Sequence, residues 1–438
     1  MAATPAVGYL RGMTLALSIL FILTYAAIAF EHPLGVNKSA TALLGAGALW
    51  VVYAMAGPQA GAVNAELAES LTGTAQIVFF LIGAMTIVEV IDAHNGFEVL
   101  TRRISTTRLP LLMWMIGLAT FFLSAILDNL TTTIVMVSLM KRLLDKREDR
   151  LLFAGIIIIA ANAGGAWTPI GDVTTTMLWI GGQITTLAVM QGVFLASIVN
   201  LLVPLVAASW MASGRVVESP KVVASDKTST TVFEQTVMLL LGLGVLVMVP
   251  VFKAVTHLPP FMGVLLGLGV LWLVGDLMHK HKDDEGKQGL TLVSALGRID
   301  MSAIVFFIGI LLAVAVLEHS HILPALATWL DHAVGRLDVI VLIIGLVSAV
   351  VDNVPLVAAS MGMYDMAQHP PDSFLWEFMA YCAGTGGSIL IIGSAAGVAA
   401  MGLERIDFLW YLRKISGLAL AGYLAGAAVY VLQFHGMH

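Results

Sequence analysis

The sequence predicts an all-α polytopic membrane protein with an inverted-topology repeat. Of its 438 residues, 59% are hydrophobic and 11% charged, against about 25% charged in an ordinary soluble domain. Mean hydropathy is +0.93. Long apolar runs alternate with short charged loops, as membrane-crossing helices require. The stretch "LSAILDNLTTT" at 123–133 returns 224 residues later as "VSAVVDNVPLV" at 347–357. Both set an Asp-Asn pair in an oily run. The alternation of an outer-membrane barrel is absent. The net charge of −6 is spread over loops with no basic tail, so nucleic acid is not a partner. The single cysteine, Cys382, excludes an intramolecular disulfide and a Cys-rich metal site.

The apolar runs give the elements in order. The first, 9–30, includes Met13 to Phe30 behind a lone Arg11 and resembles a signal peptide. Its run exceeds the usual core of ~7–15 residues, so it is taken as the first membrane helix. Spans follow at 38–57, 74–93, 151–180, 187–211, 234–253, 261–279, 302–318, 374–403 and 415–434. Two further stretches, 109–140 and 338–364, hold the Asp-Asn pairs and break near their centres.

Lys and Arg decide how these two stretches run. Arg102, Arg103 and Arg108 precede the first, and Lys141, Arg142, Lys146, Arg147 and Arg150 follow it. Basic loops stay cytoplasmic, so 109–140 reads as a re-entrant hairpin from the cytoplasm. Around 338–364 the loops carry only Arg336, so that hairpin enters from outside. This assignment puts 19 of the 22 Lys and Arg inside, leaving Arg11, Lys253 and Arg336 outside. Both termini come out extracytoplasmic. "FFLIG" at 79–83 then matches "FFIG" at 306–309, and "GGAWTPIG" at 164–171 matches "GGSILIIG" at 386–393. Each half has five crossings and one hairpin, and an odd number of crossings inverts one half relative to the other. Such repeats mark secondary transporters. The predicted organisation is a first repeat at 1–211, a linker at 212–233 and a second repeat at 234–438.

Asp128 sits mid-membrane, where an ion costs about 2.5–3.5 kcal/mol on insertion scales. At a hairpin tip it caps the second half-helix and faces carbonyls freed by the break. Asn129, Thr131 and Thr132 add neutral oxygens, and such hard donors suit a hard cation. Asp352 and Asn353 repeat the arrangement. In the first broken helix, Gly164, Gly165 and Pro169 interrupt the span. Asn162, Thr168, Asp172, Thr174 and Thr175 lie around that interruption. The counterpart at 384–397 carries Ser388 but has Ser394 where the first half has Asp172. The predicted cation site is therefore asymmetric, with Asp128 and Asp172 as the main sodium ligands and Asp352 from the second half. A helix-cap role without transport, or a solvated Asp172 at a span end, are the plainer alternatives.

Glu89 is either a proton-path residue or the satisfied partner of an Arg or Ser. Asp92, His94, Glu318, His319 and His321 sit at helix ends, where a pH-sensing histidine is one reading. Trp50, Trp114, Trp210, Trp410 and Tyr411 read as interfacial anchors.

With "LDNLTTTIV" at a hairpin tip and "NAGGAWTPIGDVTTTMLW" in a broken helix, the chain resembles the NhaD-type sodium/proton antiporters of the ion transporter superfamily. The resemblance runs through both halves. Anion carriers of that superfamily typically show Ser-Asn-Thr or Ser-Asn-Leu at the tips, whereas both tips here read Asp-Asn. The resemblance implies a homodimer in membrane lipid, with a scaffold part, a moving transport part and elevator-like alternation. The expected location is the bacterial inner membrane, as a multi-pass protein. No cofactor is expected; sodium or lithium ions and protons are the substrates.

Three readings compete. In an antiporter, protons and sodium contend for the same carboxylates, and the absence of a GxxxxGK[ST] motif leaves an ion gradient as the energy source. A sodium- or proton-coupled carrier of arsenite, citrate or dicarboxylate needs donors facing an anion, which three acids oppose. An intramembrane aspartyl protease using Asp128 and Asp352 as a dyad lacks the Gly-x-Gly-Asp and Tyr-Asp contexts. An enzyme is not expected.

Overall fold

The computed structural model describes residues 5–56, 60–101, 106, 108–215, 230–283, 287 and 289–437, and its regular elements are helices. Eight of these are long and apolar enough to cross a membrane. The protein is a polytopic helical membrane protein, as the composition requires. Most of the linker expected at 212–233 lies outside the described residues.

One compact unit comprises Met1–Phe79, Asp300–Ile340 and Val354–Pro370. It holds α1 (Pro5–Ala29), α2 (Lys38–Ala56) and the first part of α3 (Ala60–Ala93). It also holds α11 (Met301–His319) and α12 (Ile322–Val334). Helix α2 packs between α1 and α11. Gly309 of α11 lies so close to the backbone at Ala42 and Leu43 that a side chain would collide with it. Ser39 Oγ donates to the Ser302 carbonyl (2.7 Å), and Trp50 Nε1 to the Leu312 carbonyl (3.0 Å). Trp50 is therefore a packed, bonded core residue and not the interfacial anchor its position suggested, because a buried indole needs an acceptor.

The second unit comprises Phe80–Ile299, Val341–Asn353 and Pro371–His438. Its helices in chain order are the end of α3, α4 (Leu109–Ser124), α5 (Asn129–Leu143), α6 (Arg147–Ala166), α7 (Val173–Ile180) and α8 (Thr186–Met211). Then come α9 (Val232–Thr256), α10 (Pro260–Met278), α15 (Phe374–Gly386), α16 (Ala395–Glu404), α17 (Phe408–Lys414) and α18 (Ser416–Met437). The end of α13 (Leu337–Val347), the second Asp-Asn pair and the first residue of α14 (Asn353–Met363) also belong to this unit. Helix α6 runs through the core of this unit. Its run Leu151–Ala166 is buried on every side, as a helix apolar all round must be. Phe153 and Ile156–Ile159 meet Met113 and Ile116 of α4, Leu201 and Leu205 of α8 and Ile415 of the α17–α18 junction in one cluster.

The expected breaks are present: 125–128, 167–172, 348–352 and 387–394 all lie outside helices. Two segments differ from the sequence reading. Helix α3 begins well before residue 74, since "AGAVNAELAESLTG" at 60–73 is rich in good helix formers although too polar to read as a span. The expected loop 319–337 contains α12, whose Leu323 and Ala327 face inward while Leu326 and Trp329 stay exposed. At 13 residues it is too short to read as a crossing.

Candidate functional site

Four chain breaks of the second unit carry the chemistry, and two of them are built alike. At the α4–α5 break, Ser124 Oγ donates to the Ala161 carbonyl of α6 (2.7 Å). At the α13–α14 break, Ser348 Oγ donates to the Ala383 carbonyl of α15 (3.1 Å). Gly164 faces the Phe121 carbonyl as Gly386 faces that of Gly345. Gly171 lies against the Ser124 carbonyl as Gly393 lies against those of Ser348 and Ala349. Only a residue without a Cβ permits such backbone approach. Each broken helix is thus pinned against a neighbouring break by a serine and by glycines at matching places.

The half-helices that follow start from side-chain caps. Asp128 caps α5: its Oδ1 accepts from Thr131 N (2.8 Å) and its Oδ2 from Thr131 Oγ1 (2.6 Å). Asp172 caps α7: its Oδ1 accepts from Thr174 N (2.8 Å) and Thr174 Oγ1 (2.7 Å). Ser394 caps α16 by accepting from Gly397 N (3.2 Å). At the far end of α7, Lys253 Nζ bonds the Trp179 carbonyl (2.6 Å) and stands 4.3 Å from the centre of its ring. A carboxylate at the N-terminus and a cation at the C-terminus both complement the dipole of this short helix.

A chain of hydrogen bonds joins the breaks. Asn129 Nδ2 donates to Asp172 Oδ2 (2.6 Å) and to Asn162 Oδ1 (2.9 Å). Asn162 Nδ2 donates to Ser388 Oγ (2.8 Å) and Ser394 Oγ (3.0 Å). Asn162 is 0% exposed and Asp172 2%, so the solvated Asp172 of the plainer reading is not what the fold builds. Asp352 and Asp128 are the charged groups close enough to act on Asp172 electrostatically.

The remaining expected residues find distinct places. Thr168 Oγ1 donates to the Ala125 carbonyl (2.6 Å), bracing one break against the other. Thr175 Oγ1 donates to the Asp172 carbonyl (2.9 Å). Thr131 is engaged by Asp128, whereas the buried hydroxyl of Thr132 has no partner among the described residues. Asn353 is buried at the start of α14, and Asp352 beside it is half-buried. Glu89 pairs with Arg298 (3.0 Å), the partner that one reading expected.

Two contributors escaped sequence reasoning. Ser394 was set aside for lacking an acid, yet it caps a half-helix and receives Asn162; the repeat alignment that marked its position was the available signal. Tyr411 is fully buried and donates to the Ser388 carbonyl (2.8 Å). It supports the site and is not an interfacial anchor; only tertiary placement reveals this.

Buried carboxylates among amide, hydroxyl and carbonyl oxygens can bind a proton or a small hard cation. At the N-termini of α5 and α7, where an anion would bind, Thr131 N and Thr174 N are taken by the carboxylates of Asp128 and Asp172. Comparison with known proteins agrees. The citrate transporter family model matches residues 20–384. Sodium/proton antiporter 1 of Arabidopsis thaliana is 52% identical over 425 residues, covering 97% of this chain and 73% of that protein. Sodium/proton antiporter 2 of the same plant is 48% identical over 419 residues, covering 95% and 98%. The Na(+)/H(+) antiporter NhaD of Vibrio cholerae is 29% identical over 452 residues, covering 95% and 91%. The chain belongs to the citrate transporter family and, within it, to the sodium/proton antiporters of the NhaD type.

Proposed function

We propose that the protein exchanges cytoplasmic sodium or lithium for external protons. The observation that carries this reading is the pair Asp128 and Asp172, each capping a half-helix, with Asp172 in the buried hydrogen-bonded cluster and Asp128 next in the chain to its member Asn129. That the plant and bacterial relatives are named sodium/proton antiporters supports it. In the proposed cycle the bare carboxylates take up sodium from the inside. Protons arriving from outside then displace it, because the two cations contend for the same oxygens. Asn129, Thr132, Asn353 and nearby backbone carbonyls complete the shell around the ion.

The matched contacts at the two sets of breaks support an inverted repeat, and the Lys and Arg distribution supports cytoplasmic placement of loops 94–108 and 141–150. On this reading one part of each protomer carries the site across the membrane past a fixed part, and two protomers assemble in the lipid. A proton-energised membrane is required, and the bacterial plasma membrane meets that need. The family's citrate description favours a second reading, an anion carrier, but the carboxylates of Asp128 and Asp172 at the helix starts oppose an anion there.

Purified protein in liposomes with an imposed pH gradient tests the reading. Adding sodium or lithium should collapse the gradient. Silence towards both ions from neutral to alkaline pH would overturn it, and sodium-dependent citrate uptake would establish the rival.

A further inference from the structure

We propose that Asn162, acting through Asn129, reports whether Asp172 is loaded and couples that state to the second break. The inference rests on the cation reading above. Its basis is that the amide hydrogens in the cluster are all engaged. Asn129 uses its two on Asp172 Oδ2 and Asn162 Oδ1; Asn162 uses its two on Ser388 and Ser394. Donation therefore diverges from Asn129, one way to the bare carboxylate and the other through Asn162 to the serines.

A bare Asp172 Oδ2 accepts a hydrogen bond, so it selects the amide face of Asn129. A sodium ion on the same oxygen needs an acceptor beside it, and so does a proton, because the protonated carboxyl donates. Either load turns Asn129 by half a rotation about its last side-chain bond, presenting Oδ1. Asn162 Oδ1 would then face another acceptor, so Asn162 turns as well and offers its amide nitrogen. Its Oδ1 now points at Ser388 and Ser394, whose hydroxyls change from accepting to donating. Ser394 keeps its cap throughout, since its oxygen still accepts from Gly397 N.

The relay thus has one arrangement for the bare site, in which each amide hydrogen of the two asparagines has an acceptor, and a reversed one shared by both loads. Turning only one of the two asparagines sets donor against donor or acceptor against acceptor, which costs about 1–3 kcal/mol for each mismatched contact. This gives an exchanger what it needs: the bare carrier differs from the loaded carrier, while sodium-loaded and proton-loaded carriers look alike to the second break. Asn162 is a coupling residue in this scheme and not an ion ligand.

Asn162→Ala and Ser388→Ala test the relay in liposomes containing the full-length protein, with sodium binding and sodium flux read separately. In Asn162→Ala, equilibrium binding of radioactive sodium should change less than about fivefold, while sodium efflux uncoupled from protons rises on the order of tenfold relative to exchange. Ser388→Ala removes one of two acceptors and should give a smaller rise in the same direction; it keeps the question decidable if the alanine at 162 does not fold. Loss of sodium binding by folded Asn162→Ala would make Asn162 a ligand and overturn the relay. Wild-type coupling in Asn162→Ala, or in Ser388→Ala where the former does not fold, would overturn it as well. Absence of exchange in the wild type overturns the cation reading and the relay together, and so is distinguishable from failure of the relay alone.

Discussion

Asn129 Nδ2 lies 2.6 Å from Asp172 Oδ2, so the residue that opens one half-helix holds the carboxylate that caps another. Helix α5 and helix α7 are therefore tied at their N-termini, and the tie passes through the carboxylate proposed to take the ion.

Asp172→Asn and Asp128→Asn should separate charge from architecture. Asn and Asp are nearly equal N-caps, so the oxygens that accept from Thr174 N and Thr131 N persist. Thermal midpoints should stay within about 2 °C of wild type. Exchange should fall on the order of 100-fold or more, the factor that about 3 kcal/mol of a lost charged contact represents. Wild-type rate and sodium affinity in either variant would reduce that residue to a cap.

Asp352→Asn should be milder. Asp352 is half-buried and acts on Asp172 through its charge, while the Asp128 and Asp172 caps form without it. The pH profile should shift while the maximal rate falls less than about tenfold, well short of the loss in Asp128→Asn. Complete loss, equal to that in Asp128→Asn, would mean that the two tips contribute equivalently.

Gly164→Ala and Gly386→Ala should be damaging to similar degrees. Each new methyl meets a backbone carbonyl, that of Phe121 or Gly345, and neither can swing aside as a side chain would. Overpacking of this kind costs about 1–3 kcal/mol. Thermal unfolding of both variants should shift together; a silent Gly386→Ala would deny that the two breaks are built alike.

His94 and His279 give a pH-dependent stability away from the ion site. Their rings stack at 5.0 Å just beyond the ends of α3 and α10. Burial holds both imidazoles below their usual value of 6.5. Lys282 and Lys287 act in the same direction on His279, while Glu234 and Asp276 oppose it. His94 also meets Glu234 and Lys282, and its ring bonds the Val90 carbonyl. With folded values below the unfolded ones, the neutral rings stabilise the fold above about pH 6.5, and that stability is lost as pH falls through the folded values. Moving from pH 8 to pH 5.5 should lower the thermal midpoint of wild type by roughly 1–3 °C more than that of His279→Asn. Parallel curves would refute it.

Much of this arrangement was legible because the chain states it twice. The Asp-Asn pairs and the paired glycines recur at fixed separations, and their polarity is costly inside an apolar run, so each flags a break. Asn162 was legible as polar and mid-span, but its bonds to Ser388 and Ser394 join residues 226 and 232 positions apart and follow only from packing. Helix α12 was missed because its apolar face is only 13 residues long and one-sided. Ser394 was missed through a preference for charge, where the local need was only for an oxygen.

Ser394 and Asp172 hold nearly the same backbone, φ −145° and ψ 154° against φ −144° and ψ 147°. A duplicated ancestor could therefore have diversified one copy without redesigning it. The turn demands a short side chain bearing an acceptor, and serine meets that demand as well as aspartate. Charge can thus be present at one of the two positions and absent at the other on an unchanged backbone.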